Sequence, residues 1–169
     1  MGLVQVNTTT ITSDNKTSSL TLTGINTDDV YLFAFNNMNV EADITLGLRF
    51  TISGTPFAFG NYNFVRKQIN AGSSFSTVAG ASQTFINMQV VTDTTCYGNG
   101  MIYLYDFNNS SEYSYCNFET SLANTGYSDT TGSTGGAVLS SAGAADGINL
   151  ITAAGYEINS GTYTLYKVT

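Results

Sequence analysis

The chain has 169 residues, with twelve acidic and five basic side chains, a formal net charge of −7, and neither histidine nor tryptophan. That length fits one domain with a sizeable core, taken as residues 1–169. The acidic balance speaks against nucleic acid or an anionic membrane as partner, since both call for a Lys/Arg patch.

Charged residues make up 10 % of the chain, while Thr, Ser and Asn together supply 59 residues, so the polar surface is mostly uncharged. Leu, Ile, Val and Phe number 41, about a quarter, which is enough to build a core. Without histidine there is no Ser-His-Asp triad or Cys-His dyad, and the commonest zinc ligand is missing. No cofactor is expected. The opening Met1-Gly2-Leu3-Val4-Gln5-Val6 has no basic n-region or apolar h-region, so no secretory leader is expected. No apolar run approaches the roughly 20 residues of a membrane helix.

The dominant hydrophobic period is two. Along the chain, short strands are predicted over residues 3–6, 19–25 and 30–35. The third is apolar on both faces, through Tyr31, Phe33 and Phe35 on one side and Val30, Leu32 and Ala34 on the other, which predicts a strand covered on each side. Residues 44–52 alternate Ile44, Leu46, Leu48, Phe50 and Ile52 with Thr45, Gly47, Arg49 and Thr51, a half-buried strand with one wet face. Further strands are predicted over 57–65, 85–91, 100–106, 113–118, 137–140, 147–152 and 161–168. No window keeps a helical stripe. Roughly ten short strands with little or no helix imply an all-β, antiparallel β-sandwich.

Turn residues suggest local pairing. Asn99-Gly100 fits a type I′ hairpin joining a strand near 89–97 to 101–106, and Asn108-Asn109-Ser110 joins the latter to 113–118. The Gly/Ser/Thr-rich segment 124–136 reads as an exposed loop. Regular hairpins would set Tyr103 opposite Tyr115 and Tyr105 opposite Tyr113. They would also hold Cys96 and Cys116 two strands apart on opposite sheet faces, as two thiols rather than a bridge. The four tyrosines are either a cross-strand aromatic ladder filling a sheet face or a stacking platform for sugar rings. In the second case Asp106, Asn108, Asn109 and Glu112 at the tip would meet the sugar hydroxyls. Asp28-Asp29 and Glu41-Ala42-Asp43 precede strands as turn carboxylates, with a calcium site as the sharper alternative. Arg66-Lys67, the one basic pair, is expected to cap a strand end or offset nearby acids.

The last quarter carries a resemblance. Asp146-Gly147-Ile148-Asn149-Leu150 is followed by Ala154-Gly155-Tyr156-Glu157-Ile158, and Ser160-Gly161-Thr162-Tyr163-Thr164-Leu165-Tyr166-Lys167-Val168 follows in turn. This resembles the closing strand pair of small β-sandwich virion proteins of tailed bacteriophages. Val30–Asn36 and Leu46–Phe50 look like that family's early strands, so the likeness touches roughly residues 19–168. Lys167 stands where the family usually carries glycine. The resemblance implies a jelly-roll-like fold and a non-enzymatic structural role in the virion, as a capsid decoration or a tail- or fibre-associated subunit. It implies assembly in the host cytoplasm, other virion proteins as partners and a homo-oligomer. A host-surface glycan-binding adhesin is the alternative, and a glycan hydrolase, which needs two facing carboxylates, stands third.

Overall fold

The computed structural model describes residues 2–40, 44–71, 74–90, 96–124 (backbone alone at Asn124), 130–153 and 155–169. Among them run thirteen strands and no helix. In chain order these are β1 (Leu3–Ile11), β2 (Ser19–Thr23), β3 (Tyr31–Val40), β4 (Thr45–Ile52), β5 (Thr55–Pro56) and β6 (Tyr62–Asn70). Then come β7 (Phe75–Gln83), β8 (Ile86–Val90), β9 (Cys96–Tyr105), β10 (Ser114–Asn124), β11 (Thr130–Leu139), β12 (Ala145–Ala153) and β13 (Ile158–Val168). The fold is an antiparallel β-sandwich. Its large sheet has the order β1-β13-β3-β9-β10-β11-β6-β7, and its small sheet the order β2-β12-β4-β5, with β8 also paired to β4.

The order contains a jelly roll. Setting aside β5–β7, β10 and β11 leaves two four-stranded sheets, β1-β13-β3-β9 and β2-β12-β4-β8. The chain crosses between them at each step from β1 to β4, again from β8 to β9, again from β9 to β12, and again from β12 to β13, as two Greek keys do. The excursion between β4 and β8 adds β6 and β7 to the large sheet, and the one between β9 and β12 adds β10 and β11. Both widen the sheet on the β9 side.

One hydrophobic cluster fills the space between the sheets, with Phe33, Phe35, Leu104, Phe118, Tyr163 and Leu165 from the large sheet meeting Leu46, Leu48, Phe50, Ile148 and Leu150 from the small one. Tyr62 spans it: its hydroxyl donates to the Phe57 carbonyl and accepts from the Phe50 amide, both at 2.9 Å. Burial pushes its ionisation upward. Under the widened region the interior turns polar. Gln89 of β8 accepts from Thr120 Oγ1 at 2.5 Å and donates to the Thr131 carbonyl at 3.0 Å, tying the small sheet to β10 and β11. Arg66 belongs to the same layer. It is 2 % exposed in the middle of β6 and donates to Gln68, so it neither caps a strand end nor faces solvent. Desolvation draws its pKa down.

Three sequence expectations are corrected and a fourth holds in part. Thirteen strands replace about ten, because β7 and β11 are held by backbone pairing and carry little apolar alternation. The segment 124–136 is not a loop in its described part, since β11 lies between β10 and β6. Asn99-Gly100 is not a hairpin but the middle of β9. Its glycine answers packing: a Cβ at Gly100 would lie 2.3 Å from the Phe35 ring. The strand expected over 89–97 falls partly on 91–95, outside the described residues, as does Glu41-Ala42-Asp43. The expectation that β3 is covered on both faces holds in part, since on the second face Leu32 is 6 % exposed and Val30 and Ala34 are half-buried. Tyr31, Phe33 and Phe35 are fully buried, while Leu32 lies outside the core cluster with Tyr166 and Tyr103 as its register neighbours.

Gly100 supports a direct test. Gly100→Ala is expected to destabilise the protein by about 1–3 kcal/mol, because the added methyl forces the Phe35 ring aside in a packed core. Chemical denaturation measures this. A neutral substitution would return Gly100 to a surface turn.

Candidate functional site

The cysteines lie in adjacent strands on the inner face, and neither forms a disulfide. Cys96 pairs with Val40 and Asn124, and Cys116 with Leu104 and Ala137. Eight strand positions separate them along β10, about 26 Å at the usual rise. They therefore share a face instead of opposing each other, and distance along the strand keeps them apart. Burial pushes the Cys116 thiol up to about 12.

The tyrosines form no four-membered ladder. The link between β9 and β10 is an eight-residue loop, 106–113, with left-handed backbone at Asp106 and Asn108 and with Phe107 fully buried between them. That anchor shifts the pairing by two residues: Tyr105 faces Tyr115, Tyr103 faces Asn117, and Tyr113 lies just outside β10. Tyr103, Tyr105 and Tyr115 share the outer face of the large sheet, with Tyr103 and Tyr115 well exposed.

Of the tip residues, Asn109 is engaged through its side chain, and Asp106 and Asn108 through their backbone. The Asn108 amide donates to the Ala145 carbonyl at 2.8 Å. Asn109 donates from Nδ2 to Asp28 at 2.9 Å and accepts the Ser111 amide at 3.0 Å. The Asp106 carbonyl accepts from Ser114 at 3.4 Å, and Glu112 is exposed. The loop therefore reaches β12 through the Asn108 backbone and Asp28 through the Asn109 side chain. Asp29 pairs with Lys167 at 2.5 Å, which lowers the carboxyl pKa and raises that of the amine. Lys167 is thus tied to the turn before β3. Among the described residues no group of three or more Cys, Asp or Glu converges as a metal site.

The concave feature lies on the outer face beside Tyr103. A groove of about 760 Å³ follows β10 and β11. Two cross-strand rows build it. One runs Tyr103, Asn117, Gly136, Val65 and Ala79, and the other Met101, Glu119, Thr134, Lys67 and Thr77, each crossing β9, β10, β11, β6 and β7. Tyr103 and Met101 make one wall, Val65 and Lys67 the other, and Gly136 lies in the floor. The groove continues past Tyr115 and Val138. Across the Met101 ridge a second depression of about 550 Å³ is lined by Leu3, Leu32, Tyr166 and Glu119. Among the described strand residues of this whole face, Glu119 and Lys67 carry the charges.

Two glycines of β11 lie on the groove's side of the sheet, Gly136 within the lining and Gly132 beyond it. Gly132 and Gly136 point outward from an interior strand, where glycine weakens the sheet and often marks close approach of another group. A Cβ at Gly132 would meet nothing nearer than 3.8 Å, so packing does not require glycine there. At Gly136 the Asn117 amide would lie 3.0 Å away.

Sequence reasoning placed Tyr103, Tyr105 and Tyr115 on one face but missed Met101, Asn117, Glu119, Thr134 and Lys67. The alternation Tyr97, Asn99, Met101, Tyr103 and Tyr105 carried the signal for one wall. The other wall comes from β6, far away in sequence. No protein-family model matches the chain, and no curated protein matches it.

Proposed function

We propose that the chain is a non-enzymatic structural subunit of a tailed-phage virion, a capsid decoration or a tail- or fibre-associated protein, that makes its subunit contacts through the outer face of the large sheet. The observation carrying this reading is that face itself. A jelly roll widened by four inserted strands offers a broad surface with exposed Tyr97, Met101, Tyr103, Tyr115, Val65 and Phe75 and almost no charge. Exposed apolar area of that kind marks contact surfaces, and aromatic and methionine side chains are enriched in them. The phage-like strand sequences at residues 30–36, 46–50 and 146–168 add a likeness to virion sandwich proteins.

The test is the location and copy number of the chain in purified particles. Hundreds of copies would indicate the capsid, a few to a few dozen the tail. Absence from particles would overturn the reading. Within particles, Met101→Glu combined with Tyr103→Glu is expected to exclude the chain while leaving its melting transition in place, since both side chains are about half exposed.

The groove supports a second reading, as a host-surface glycan site. A tyrosine wall for a sugar face, Asn117 and Thr134 for hydroxyls, and a glycine floor suit a flat, hydroxyl-rich chain. Glu119 is the carboxylate among the described lining residues, and glycoside cleavage uses two, so we take this reading as binding without hydrolysis. The double variant Tyr103→Ala and Tyr115→Ala is expected to fold normally and to lose retention on a neutral-oligosaccharide array. Binding that survives it would remove the groove from consideration.

A further inference from the structure

We propose that copies of this chain join head to tail through the two edges of the large sheet, β7 of one copy pairing antiparallel with β1 of the next. Every pairing in the sheet is antiparallel and its strands number eight, so the edge strands run in opposite directions. A second copy set beside the first, facing the same way, therefore brings its β1 antiparallel to β7 without any inversion. Each edge is nine residues long. Neither Leu-Val-Gln-Val-Asn-Thr-Thr-Thr-Ile nor Phe-Ser-Thr-Val-Ala-Gly-Ala-Ser-Gln contains a charge or a proline, two of the devices by which edge strands avoid pairing, and the register irregularity of each, between Gln5 and Asn7 on β1 and opposite Tyr62 to Phe64 on β7, lies toward one end. The registers leave matched regular runs, Asn7 to Ile11 on β1 and Phe75 to Gly80 on β7.

The state of β7 strengthens the case. Its side chains are exposed or half-exposed along both faces, and Phe75 is 66 % exposed against the Lys67 ammonium, 4.5 Å from its ring centroid. Pairing with β6 is what holds it, and its other row of N–H and C=O groups points outward. A two-fold pairing of β7 with β7 would satisfy that row but leave β1 unprotected. Head-to-tail pairing uses both edges at once. A heterologous contact of this kind closes into a ring or extends into a filament. The proposal does not depend on the virion reading, because any assembly of identical copies would serve it.

Light scattering and sedimentation of the full chain across micromolar concentrations test the idea, with a mass that is a multiple of 18.0 kDa expected. Ser76→Lys with Ala79→Lys charges the β7 edge, and Gln5→Lys with Thr10→Lys charges β1; all four side chains are exposed. Each double variant is expected to be monomeric with unchanged melting. Mixed one to one, they should form a dimer and nothing larger, since each supplies the edge the other lacks. A monomeric wild type at every concentration overturns the proposal. So does an oligomer lost in the β7 variant but intact in the β1 variant, which would mean two-fold pairing. Should a variant not fold, amide exchange on the wild type decides: residues 75–83 and 3–11 must both slow as concentration rises. None of these outcomes bears on whether the chain is found in particles.

Discussion

A chain lacking residues 161–169 is expected not to fold. These residues form most of β13, which lies second in the large sheet between β1 and β3 and pairs with both. Their loss detaches β1 and bares the inner edge of β3. It also removes Tyr163 and Leu165, both fully buried, each contributing about 1.5–3 kcal/mol by burial alone. Gly161 has φ 139°, with a Tyr163 hydroxyl that a Cβ would meet at 2.7 Å, so the register shift that it forms within the strand goes too. Against a typical net stability of about 5–15 kcal/mol, the remainder cannot compensate for a missing interior strand. Circular dichroism and thermal melting are the readouts. A soluble truncation with a cooperative transition would show that β1 and β3 pair without it.

Phe107→Ala is expected to cost about 3–5 kcal/mol, the usual loss for emptying a fully buried phenylalanine site. The ring sits in a loop, yet its centroid lies 4.6 Å from that of Phe50 on the opposite sheet. On either side the backbone takes positive φ, 56° at Asp106 and 58° at Asn108, conformations that are unfavourable unless something holds them. The buried ring and the Asn108 amide on Ala145 hold them here. The variant should therefore lose stability in urea and gain amide exchange at Asn108, while Tyr103 keeps its exposure. A loss below about 1 kcal/mol would mean that the loop is fixed by its polar contacts and that the ring is incidental.

Phe107 also marks where the sequence stops being legible. It lies in an Asn/Ser-rich stretch that reads as a tight turn, and burial of one aromatic ring converts that turn into an eight-residue anchored loop. The result is a register two residues away from the hairpin expectation, which separates Tyr103 from Tyr115 and places Asn117 opposite Tyr103. Turn rules describe local backbone preference and contain no information about a cavity on the far sheet.

The edge and inserted strands show the same limit from another side. β4 and the second half of β9 were visible because apolar residues alternate with others along them, although the face of β4 expected to be wet is covered, with Gly47 and Thr51 buried and Thr45 and Arg49 half-buried. β11, Thr-Thr-Gly-Ser-Thr-Gly-Gly-Ala-Val-Leu, is interior to the sheet yet looks like a linker, because its first half lies over the polar layer of Gln68, Gln89 and Thr120. Nothing in its composition distinguishes that setting from solvent.

By itself the sequence determined the all-β class, the sandwich and the cores of most strands, because burial on one side of a pleated strand imposes a period of two on residue choice. It also determined the low charge and the Ser/Thr/Asn surface, which are properties of composition. Only the tertiary structure decided which strands are neighbours, that two excursions widen a jelly roll into an eight-stranded face, and that Tyr103 shares a groove with Lys67. Those are pairings between residues tens of positions apart. Each depends on backbone hydrogen bonds that every residue except proline can make, so the partners are chosen by packing of the whole and leave little trace in any single segment.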